Sequence, residues 1–538
     1  MEKDRRQASA FRINQTGYDV RWPVRAAAVT EAAIRLADSA GRILRAWDAE
    51  TAPVDAASGE RVRLLDMGVL PEGVYELTDG HERRRFTVSR RPWQGVTSAL
   101  VKGLSYQRCG CGLDRSWAGP YAHPACHTAP ALDWLDHSVR RDACGGWHDA
   151  GDYGRYVGPG AVTVGHLLYA WLLFPQGCSE ALGIPETGSG VPDILSECRF
   201  ELEWILKMQR EDGAFWHKLT KARFAPFIAP ELDREQEYLM PVSHCATGAA
   251  CACLALASRV YAACDAAFAD RMRAAALRAW DWLEQNPDFV PFVNPEGVQT
   301  GEYGDDSDRD ERFWAACELL AATGEERFRT AAEALFAQGQ CLTAFGWADV
   351  GGFGALCCLF AIGEKAGSVL YGGLREAFLR QTEEILALTR VSGYGTALAA
   401  DAYVWGSILP ILSGAMAMIL AARLTGREEL RDAALLQWHY ALGMNAVDTC
   451  FVTGFGERTV LHPHHRPSAS DGVEAPVPGQ ISGGPNKVMP WPATVEKVGA
   501  DTPPAKFWLD ETESADTNEI AIYWNSPAVF VGACFSEA

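Results

Sequence analysis

Long apolar, alanine-rich segments recur through most of the chain, and they constrain the fold more than any other feature. Their length and periodicity predict amphipathic or buried helices. They cover residues 161–174, 193–209, 243–264, 269–285, 309–322, 327–338, 368–389, 404–423 and 427–441. Between them lie Gly- and Pro-rich stretches, longer than a compact domain usually keeps without a function, at 103–160, 211–242, 286–308 and 443–517. The pattern predicts a mainly α-helical scaffold with its loops gathered at one end.

The first 92 residues follow a different pattern. Short, partly alternating apolar segments at 25–29, 34–36 and 73–77 are separated by Gly, Pro, Asp and Ser. This is typical of a small antiparallel β-sandwich. The periodicity changes at Trp93, so we expect a sandwich domain over residues 1–92 and a helical domain over residues 93–538.

Charge and cysteine content limit the partners and the compartment. The chain of 538 residues carries 49 basic and 69 acidic side chains, a formal net charge of -20. Such a balance repels phosphate backbones and anionic lipid surfaces, so we expect neither nucleic acid nor membrane as a partner. The charged N-terminus lacks the apolar run of a signal peptide. We therefore expect a cytoplasmic protein, or a secreted one if a leader has been removed, and in the cytoplasm its 16 cysteines would be buried thiols or metal ligands.

Residues 144–156 form the most crowded polar stretch of the sequence. Asp149 and Asp152 are three positions apart with Gly151 between them, so a tight turn can aim both carboxylates into one space, with Trp147 as an apolar wall. Two close acids push their pKa values apart, and one of them can then act as a base near neutral pH. The alternative is an ordinary Asp–Gly turn whose carboxylates cap their own backbone.

Thiol and imidazole side chains cluster around the same stretch. Two or three thiolates and two imidazoles fall within about forty residues, from Cys109, Cys111, Cys126, His127 and His148. Such a set is typical of zinc, although the spacing is not that of a zinc finger. The alternative is chance scatter in a cysteine-rich chain.

Two further polar groups occur near the C-terminus. His464 and Arg466 can donate hydrogen bonds to sugar hydroxyl groups or to a carboxylate. Glu519 stands at the mouth of an apolar segment, where desolvation would raise its pKa and keep it protonated as an acid. A helix N-cap that includes Asp516 and Thr517 is the alternative, and it is compatible with the first interpretation.

Three separated motifs, in this order, resemble the signatures of glycoside hydrolase family 9, the cellulase family of inverting β-glycosidases. They are Gly-Gly-Trp-His-Asp-Ala-Gly-Asp-Tyr at 145–153, His-Pro-His-His-Arg at 462–466 with Gly-Gly-Pro at 483–485, and Asn-Glu-Ile-Ala-Ile at 518–522. Residues 13–18 resemble the start of an immunoglobulin-like module found in one branch of that family. The resemblance covers nearly the whole chain. It implies an (α/α)6-barrel catalytic domain preceded by a small immunoglobulin-like β-sandwich.

The resemblance also implies the roles of the acids. Asp152 is expected to be the general base that activates water, Asp149 to help hold that water, and Glu519 to be the general acid. In an inverting enzyme the acid and base stand roughly 6.5 to 9.5 Å apart, which leaves room for the water.

Sugar contacts follow from the same motifs. The expected substrate-binding residues are His464, Arg466, Tyr403, Trp405 and Trp147. Core packing is the alternative for any single tryptophan. Where the family often has Asn, three positions after the tryptophan, this chain has Ile408, so a polar group near the cleft is missing.

Two metals are implied, and no organic cofactor is expected. The zinc ligand positions of the family branch fall on Cys109, Cys126, His127 and His148, with Cys111 as an extra thiol. Residues 300–311 resemble a calcium-bearing loop, and the expected ligands are Asp308, Asp310 and Glu311. A solvated acidic loop is the alternative there.

The expected function is inverting hydrolysis of β-1,4-glycosidic bonds in β-glucans or cello-oligosaccharides. The alternative is an exo-acting β-glucosidase or β-glucosaminidase on short oligosaccharides, with the loops at 103–142 and 467–513 closing one end of the cleft. A non-catalytic carbohydrate-binding protein is a more remote alternative, because binding alone needs no full acid and base set. The oligomeric state is left open.

Overall fold

The computed structural model describes residues 8–537 and begins with a two-sheet β-sandwich. The strands are β1 Phe11–Arg12, β2 Tyr18–Asp19, β3 Val24–Ala28, β4 Ile34–Asp38, β5 Ile43–Trp47, β6 Arg63–Gly68, β7 Gly73–Thr78 and β8 Arg83–Ser89. One sheet has the strand order β1-β3-β6 and the other β2-β8-β7-β4-β5. Along β8 only Phe86 and Val88 are buried, the period-two pattern that predicted this domain. Strand β5 was not predicted, because it is an edge strand without such alternation.

Within the described residues, twelve helices build the (α/α)6 barrel. They are α1 Gln94–Ser105, α2 Val157–Leu173, α3 Asp193–Lys207, α4 His244–Tyr261, α5 Ala266–Gln285, α6 Arg309–Thr323, α7 Glu326–Phe336, α8 Gly351–Leu356, α9 Gly373–Val391, α10 Ile408–Thr425, α11 Glu428–Ala441 and α12 Ile522–Ser536. The even-numbered helices are buried over most of their surface and form the inner ring, in which α12 packs on α2, α2 on α4, α4 on α6, and α6 on α8. The odd-numbered helices lie outside and bury one face.

Three barrel helices were not predicted, and each has a local reason. Helix α8 is rich in glycine, which is typical of loops. Helix α12 contains Pro527. Helix α1 directly follows the end of the sandwich, where the sequence pattern changes. Helix α10 is apolar and long enough to cross a membrane, but most of it is buried as an inner barrel helix, which accounts for its composition.

A small third sheet lies in the loops that were predicted to be irregular. Its strands, in the order β10-β9-β13-β12-β11, are β9 Ala131–Asp133, β10 Arg140–Arg141, β11 Arg155–Tyr156, β12 Lys218–Thr220 and β13 Tyr238–Leu239. Tyr156 pairs with Lys218 across β11 and β12. The sheet therefore joins the chain leaving residues 144–156 to the loop that precedes α4.

Polar contacts fix the sandwich on the barrel. The indole Nε1 of Trp93 donates to the carbonyl of Gly17 at 3.0 Å, and the side chain of Asn14 lies 3.0 Å from Nδ1 of His439 in α11.

Candidate active site

The turn at residues 149–154 has both features that the sequence allowed: an Asp side chain that caps its own backbone, and two carboxyl groups at one site. The amide of Gly154 donates to Oδ2 of Asp152 at 2.8 Å, and the amide of Asp149 donates to the carbonyl of Gly154 at 2.9 Å. Asp152 thus caps its own backbone, as Asp commonly does in turns, yet both carboxylates lie at the same site. Upstream, a Cβ on Gly146 would lie 2.6 Å from the ring of Trp204, so only glycine fits at this position.

Asp149 is buried, and its two carboxylate oxygens have different surroundings. Oδ2 accepts a hydrogen bond from the hydroxyl of Tyr303 at 2.5 Å. Oδ1 is also buried, and among residues 8–537 it has no hydrogen-bond partner. Burial, reinforced by the charge of Asp152, raises the pKa of Asp149 well above its ordinary value. A buried carboxylate oxygen without a partner is a ready acceptor for a water molecule.

Glu519 lies against the same turn in an environment that favours its neutral form. Burial, followed by the negative charges of Asp152 and Asp149, raises the pKa of Glu519 well above its ordinary value. The indole Nε1 of Trp405 donates to Oε2 at 3.2 Å, and the amide of Gly151 also donates to this side chain. Glu519 is therefore protonated at pH values at which an ordinary glutamate is ionised.

Main-chain hydrogen bonds join the two segments that carry the acids to each other and to the segment of His464 and Arg466. The carbonyl of Asp149 accepts from the amide of Ile522 at 2.9 Å, and the carbonyl of Gly151 accepts from the amide of Arg466 at 3.0 Å. The amide of His464 donates to the carbonyl of Asn518 at 2.9 Å. This close approach requires a glycine at 151, since a Cβ there would lie 2.2 Å from the carbonyl oxygen of His464.

His464 and Arg466 of the second motif make different hydrogen bonds. The Nδ1 of His464 donates to the carbonyl of Thr512 at 2.6 Å, and burial lowers the pKa of this imidazole, so the ring is neutral and its Nε2 is an acceptor. Arg466 uses its guanidinium on the carbonyls of Gly151 and Ala225 at 2.8 and 2.7 Å. The bond to Gly151 braces the turn that carries Asp149 and Asp152.

The rings of two residues expected to contact the sugar, Trp147 and Tyr403, are buried. Trp147 is 1% exposed, and its indole donates to Glu197 at 2.8 Å beneath the turn. Tyr403 is also 1% exposed, and its carbonyl accepts from the amide of Lys487, two residues after the Gly-Gly-Pro of the second motif. Trp405 is partly exposed and packs edge-on against Trp491 with ring centroids 5.5 Å apart.

Several residues near the acids were not foreseen from the sequence. Tyr303 has an unusual positive φ of 49°, a strained conformation for an aromatic residue. Trp491, Phe224 and Phe227 are exposed by 40%, 47% and 40%; Trp491 packs on Trp405, and the two phenylalanines lie against Arg466. No sequence motif marks them, because they come close to the site only through the loop geometry.

The four expected zinc ligands come together. Cys109, Cys126, His127 and His148 each offer a ligand atom, and these atoms all lie within 4.8 Å of one another. The two sulfur atoms are 3.9 Å apart, and Nδ1 of His127 lies 3.5 Å from the sulfur of Cys109. Two thiolates bound to one zinc at about 2.3 Å in tetrahedral geometry stand about 3.8 Å apart. The cluster therefore has the dimensions of a zinc site.

The second acidic group differs from the expected calcium ligands. Asp308 is used elsewhere, since its carboxylate pairs with Arg312 one helical turn later at 2.6 Å. Glu311 instead approaches Asp305 and the thiol of Cys245, with ligand atoms within 4.8 Å of one another. Among the described residues, one buried carboxylate oxygen of Glu311 and one of Asp305 have no hydrogen-bond partner.

Two more acids, Asp310 and Asp349, interact electrostatically with that group. Burial and the charge of Asp310 raise the pKa of Asp305 to about 6 and that of Asp349 to about 7. Burial and the charges of Asp310 and Asp305 raise the pKa of Glu311 well above its ordinary value. Burial also raises the pKa of Asp310, so four acids with raised pKa values in one place indicate a position suited to a cation.

A match to a known family decides the classification. Residues 93–532 match the family described as glycosyl hydrolase family 9. The chain belongs to glycosyl hydrolase family 9. This confirms the resemblance given by the three motifs, and with it the chain is a glycoside hydrolase.

Relatives of this family 9 enzyme match over most of their length. A cellodextrinase of Butyrivibrio fibrisolvens is 36% identical over 96% of this chain and 98% of its own. Endoglucanase D of Acetivibrio thermocellus is 31% identical over 90% of this chain and 76% of its own.

Solved structures agree with the fold. A single mutant of a thermostable endoglucanase from Alicyclobacillus acidocaldarius superposes with a TM-score of 0.92 at 35% identity, over 98% of this chain and 100% of that one. A structure described as a Zn-binding triple mutant of the family 9 endoglucanase J30 gives a TM-score of 0.90 at 31% identity, over 96% and 99%. The sandwich followed by an (α/α)6 barrel is therefore confirmed for this family 9 chain.

Proposed function

We propose that the protein hydrolyses β-1,4 bonds of soluble cello-oligosaccharides with inversion at the anomeric carbon. The observation that carries the proposal is the environment of Glu519, whose pKa is raised well above its ordinary value by burial and by the charges of Asp152 and Asp149. A general acid with a raised pKa beside a second carboxyl group is the pairing that glycoside hydrolysis needs.

Each acid has a separate task in this mechanism. Glu519 donates its proton to the leaving oxygen as the glycosidic bond breaks. Asp152, oriented by the amide of Gly154, removes a proton from the attacking water, and Asp149 holds that water through its free Oδ1. The sugar leaves with inverted configuration, because water attacks from the face opposite the leaving group.

Short soluble chains are the substrate class that the comparisons favour. The cellodextrinase relative matches this chain from end to end, and endoglucanases share the fold. The exposed rings of Trp491, Phe224 and Phe227 offer stacking faces for glucosyl units. An endoglucanase acting on polymeric glucan is the second candidate, supported by the Alicyclobacillus neighbour.

A time course of products separates the candidates. We expect kcat/KM to be higher on cellobiose to cellotetraose than on carboxymethylcellulose, with small sugars released from one end and chito- and xylo-oligosaccharides cleaved slowly. Rapid loss of viscosity of a soluble glucan before small sugars appear would favour the endoglucanase. Faster cleavage of chito-oligosaccharides would favour a β-glucosaminidase.

We further propose a structural zinc held by Cys109, Cys126, His127 and His148. Four protein ligands close a tetrahedral site and leave no position for a reacting water. Asp233 supports the assignment, because its carboxylate lies 3.2 Å from Nε2 of His127 and orients the ring so that Nδ1 faces the thiols. When bound, the metal would pin the segment that precedes Asp149.

A calcium ion fits the acidic group next to Tyr303. The residues that would hold it are Asp305, Asp310, Glu311 and Asp349, whose carboxylate oxygens are the ligands that calcium prefers. Asp308 is not among them, because of its pairing with Arg312. Cys245 lies close by, but a thiol is a poor ligand for this hard cation.

A further inference from the structure

One buried cation near the acids has no part in the mechanism above. Lys218, on strand β12, is fully buried and pairs across the small sheet with Tyr156, four residues after Asp152. Burial lowers the pKa of Lys218 to about 7, while the negative charges of Asp152 and Glu302 favour its charged form. A buried lysine is costly unless its ammonium group is well bound, so its hydrogen bonds indicate what it does.

The acceptors of the Lys218 ammonium all lie on one loop segment, residues 294–301. Nζ donates to Oδ1 of Asn294 at 2.6 Å, to the carbonyl of Gly301 at 2.5 Å and to Oγ1 of Thr300 at 3.2 Å. Thr220, on the same strand, adds a hydrogen bond between its hydroxyl and that of Thr300 at 3.0 Å. Strand β12 is therefore fastened to this segment mainly through a single ammonium group.

Tyr303 follows that segment by two residues and depends on its position. Its backbone has a φ of 49°, which a tyrosine keeps only where its surroundings impose it. Its ring packs on that of Tyr156 with centroids 4.6 Å apart, and Nζ of Lys218 lies 5.5 Å from the centre of the same Tyr156 ring. Lys218, Tyr156 and Tyr303 thus form one continuous layer that ends at Oδ2 of Asp149.

We propose that Lys218 is a positioning residue of the hydrolysis, which fixes residues 294–301 so that the Tyr303 hydroxyl reaches Asp149. Lys218 itself is too deeply buried to contact a substrate. Its effect passes through Tyr303 to the carboxylate that holds the attacking water. The inference rests on the role proposed above for Asp149.

A double-mutant cycle tests the coupling between Lys218 and Tyr303. Lys218→Met removes the donors and keeps the length of the side chain. We expect kcat on cellotetraose to fall about 10- to 100-fold with KM nearly unchanged, since small misplacements at an active site cost this much. In a Tyr303→Phe background the same change should lower kcat less than about threefold, because the group through which Lys218 acts is already absent. Lys365→Met, at an exposed turn, is the matched control and should keep wild-type kcat.

The outcomes that overturn the proposal are distinct from failure of the proposed function. Wild-type kcat in Lys218→Met, or an equal loss with and without the Tyr303 hydroxyl, excludes the positioning role. If Lys218→Met does not fold, Asn294→Ala removes one of its acceptors more gently and must show the same dependence on Tyr303. A wild-type enzyme that does not cleave cello-oligosaccharides would instead refute the proposed substrate, whatever the variants do.

Discussion

The hydroxyl of Tyr303 donates to Asp149 across 2.5 Å from a backbone with a positive φ. The other oxygen of Asp149 has no partner within residues 8–537. One oxygen is thus fixed by the protein, and the other is open to a water molecule. In the proposed mechanism Tyr303 therefore helps to hold the attacking water, although it lies in a loop distant in sequence from all three motifs.

Removal of this hydroxyl should slow the chemistry more than the binding. In Tyr303→Phe we expect kcat on cellotetraose to fall about 10- to 100-fold, with a smaller change in KM, because Asp149 is no longer held in place. Steady-state kinetics on the purified variant measure both constants. A loss confined to KM would mean that Tyr303 contacts the substrate instead.

The acid and the base should both be indispensable. Glu519→Gln and Asp152→Asn keep the size of each side chain but remove proton transfer, and each step of general acid or base catalysis is worth about 10²- to 10⁴-fold. We expect losses of at least that size with little change in melting temperature. Glu513→Gln, at an exposed neighbouring position, is the control and should keep full activity.

Inversion can be observed directly. NMR of the freshly formed product from a β-linked substrate should show the α-anomer first. A β-anomer appearing first would indicate a covalent intermediate and would overturn the roles of Asp152 and Glu519.

The buried Glu201 makes a testable contribution to pH-dependent stability. It accepts the amide of Trp147 at 2.7 Å, and burial raises its pKa from 4.5 to about 8. Below about pH 4.5 the residue is protonated in both folded and unfolded chains. Between the two values the unfolded chain releases the proton and the folded chain keeps it, so stability is lost as the pH rises toward 8.

Glu201→Gln should remove this dependence. Wild-type stability should decline relative to the variant between about pH 5 and pH 8, by at most about 1.4 kcal/mol per pH unit. Melting temperatures of the two proteins, measured in parallel across this range, give the comparison. Parallel curves would show that Glu201 is ionised in the folded protein.

The zinc proposal predicts stoichiometry and stability together. Metal analysis of the purified protein should find one tightly bound zinc per chain, and Cys126→Ser should lower the melting temperature and release the metal. Cys264→Ser, at an exposed position, is the control. Protein without zinc, or Cys126→Ser with an unchanged melting temperature, contradicts the proposal.

The sequence motifs predicted which polar side chains come together. Asp152 and Asp149 lie close enough to Glu519 for their charges to raise its pKa, and Cys109 and His148, nearly forty positions apart, lie in one cluster of ligand atoms. Local patterns say nothing about which face of a loop a ring occupies, so Trp147 and Tyr403 were placed in the cleft although both are buried.

Long-range geometry accounts for the other differences. Asp308 carries the right charge for calcium, but Arg312 lies one helical turn away and takes it as a partner. Tyr303 was read only as part of an acidic loop, since its link to Asp149 spans 154 positions. The boundary at Trp93 and the cytoplasmic location stay predictions.

Main-chain hydrogen bonds join the segments of Asp149, His464 and Glu519, so the positions of the acids do not depend on the side chains that select the substrate. Backbone groups set the distances between the acids, with Gly151 as the position that must stay small. The exposed rings proposed to stack on the sugar, such as Trp491 and Phe224, lie outside this set of main-chain bonds. With this arrangement, evolution or protein engineering can replace the side chains that line the cleft, and so change the preferred chain length of the substrate, without altering the acid and the base.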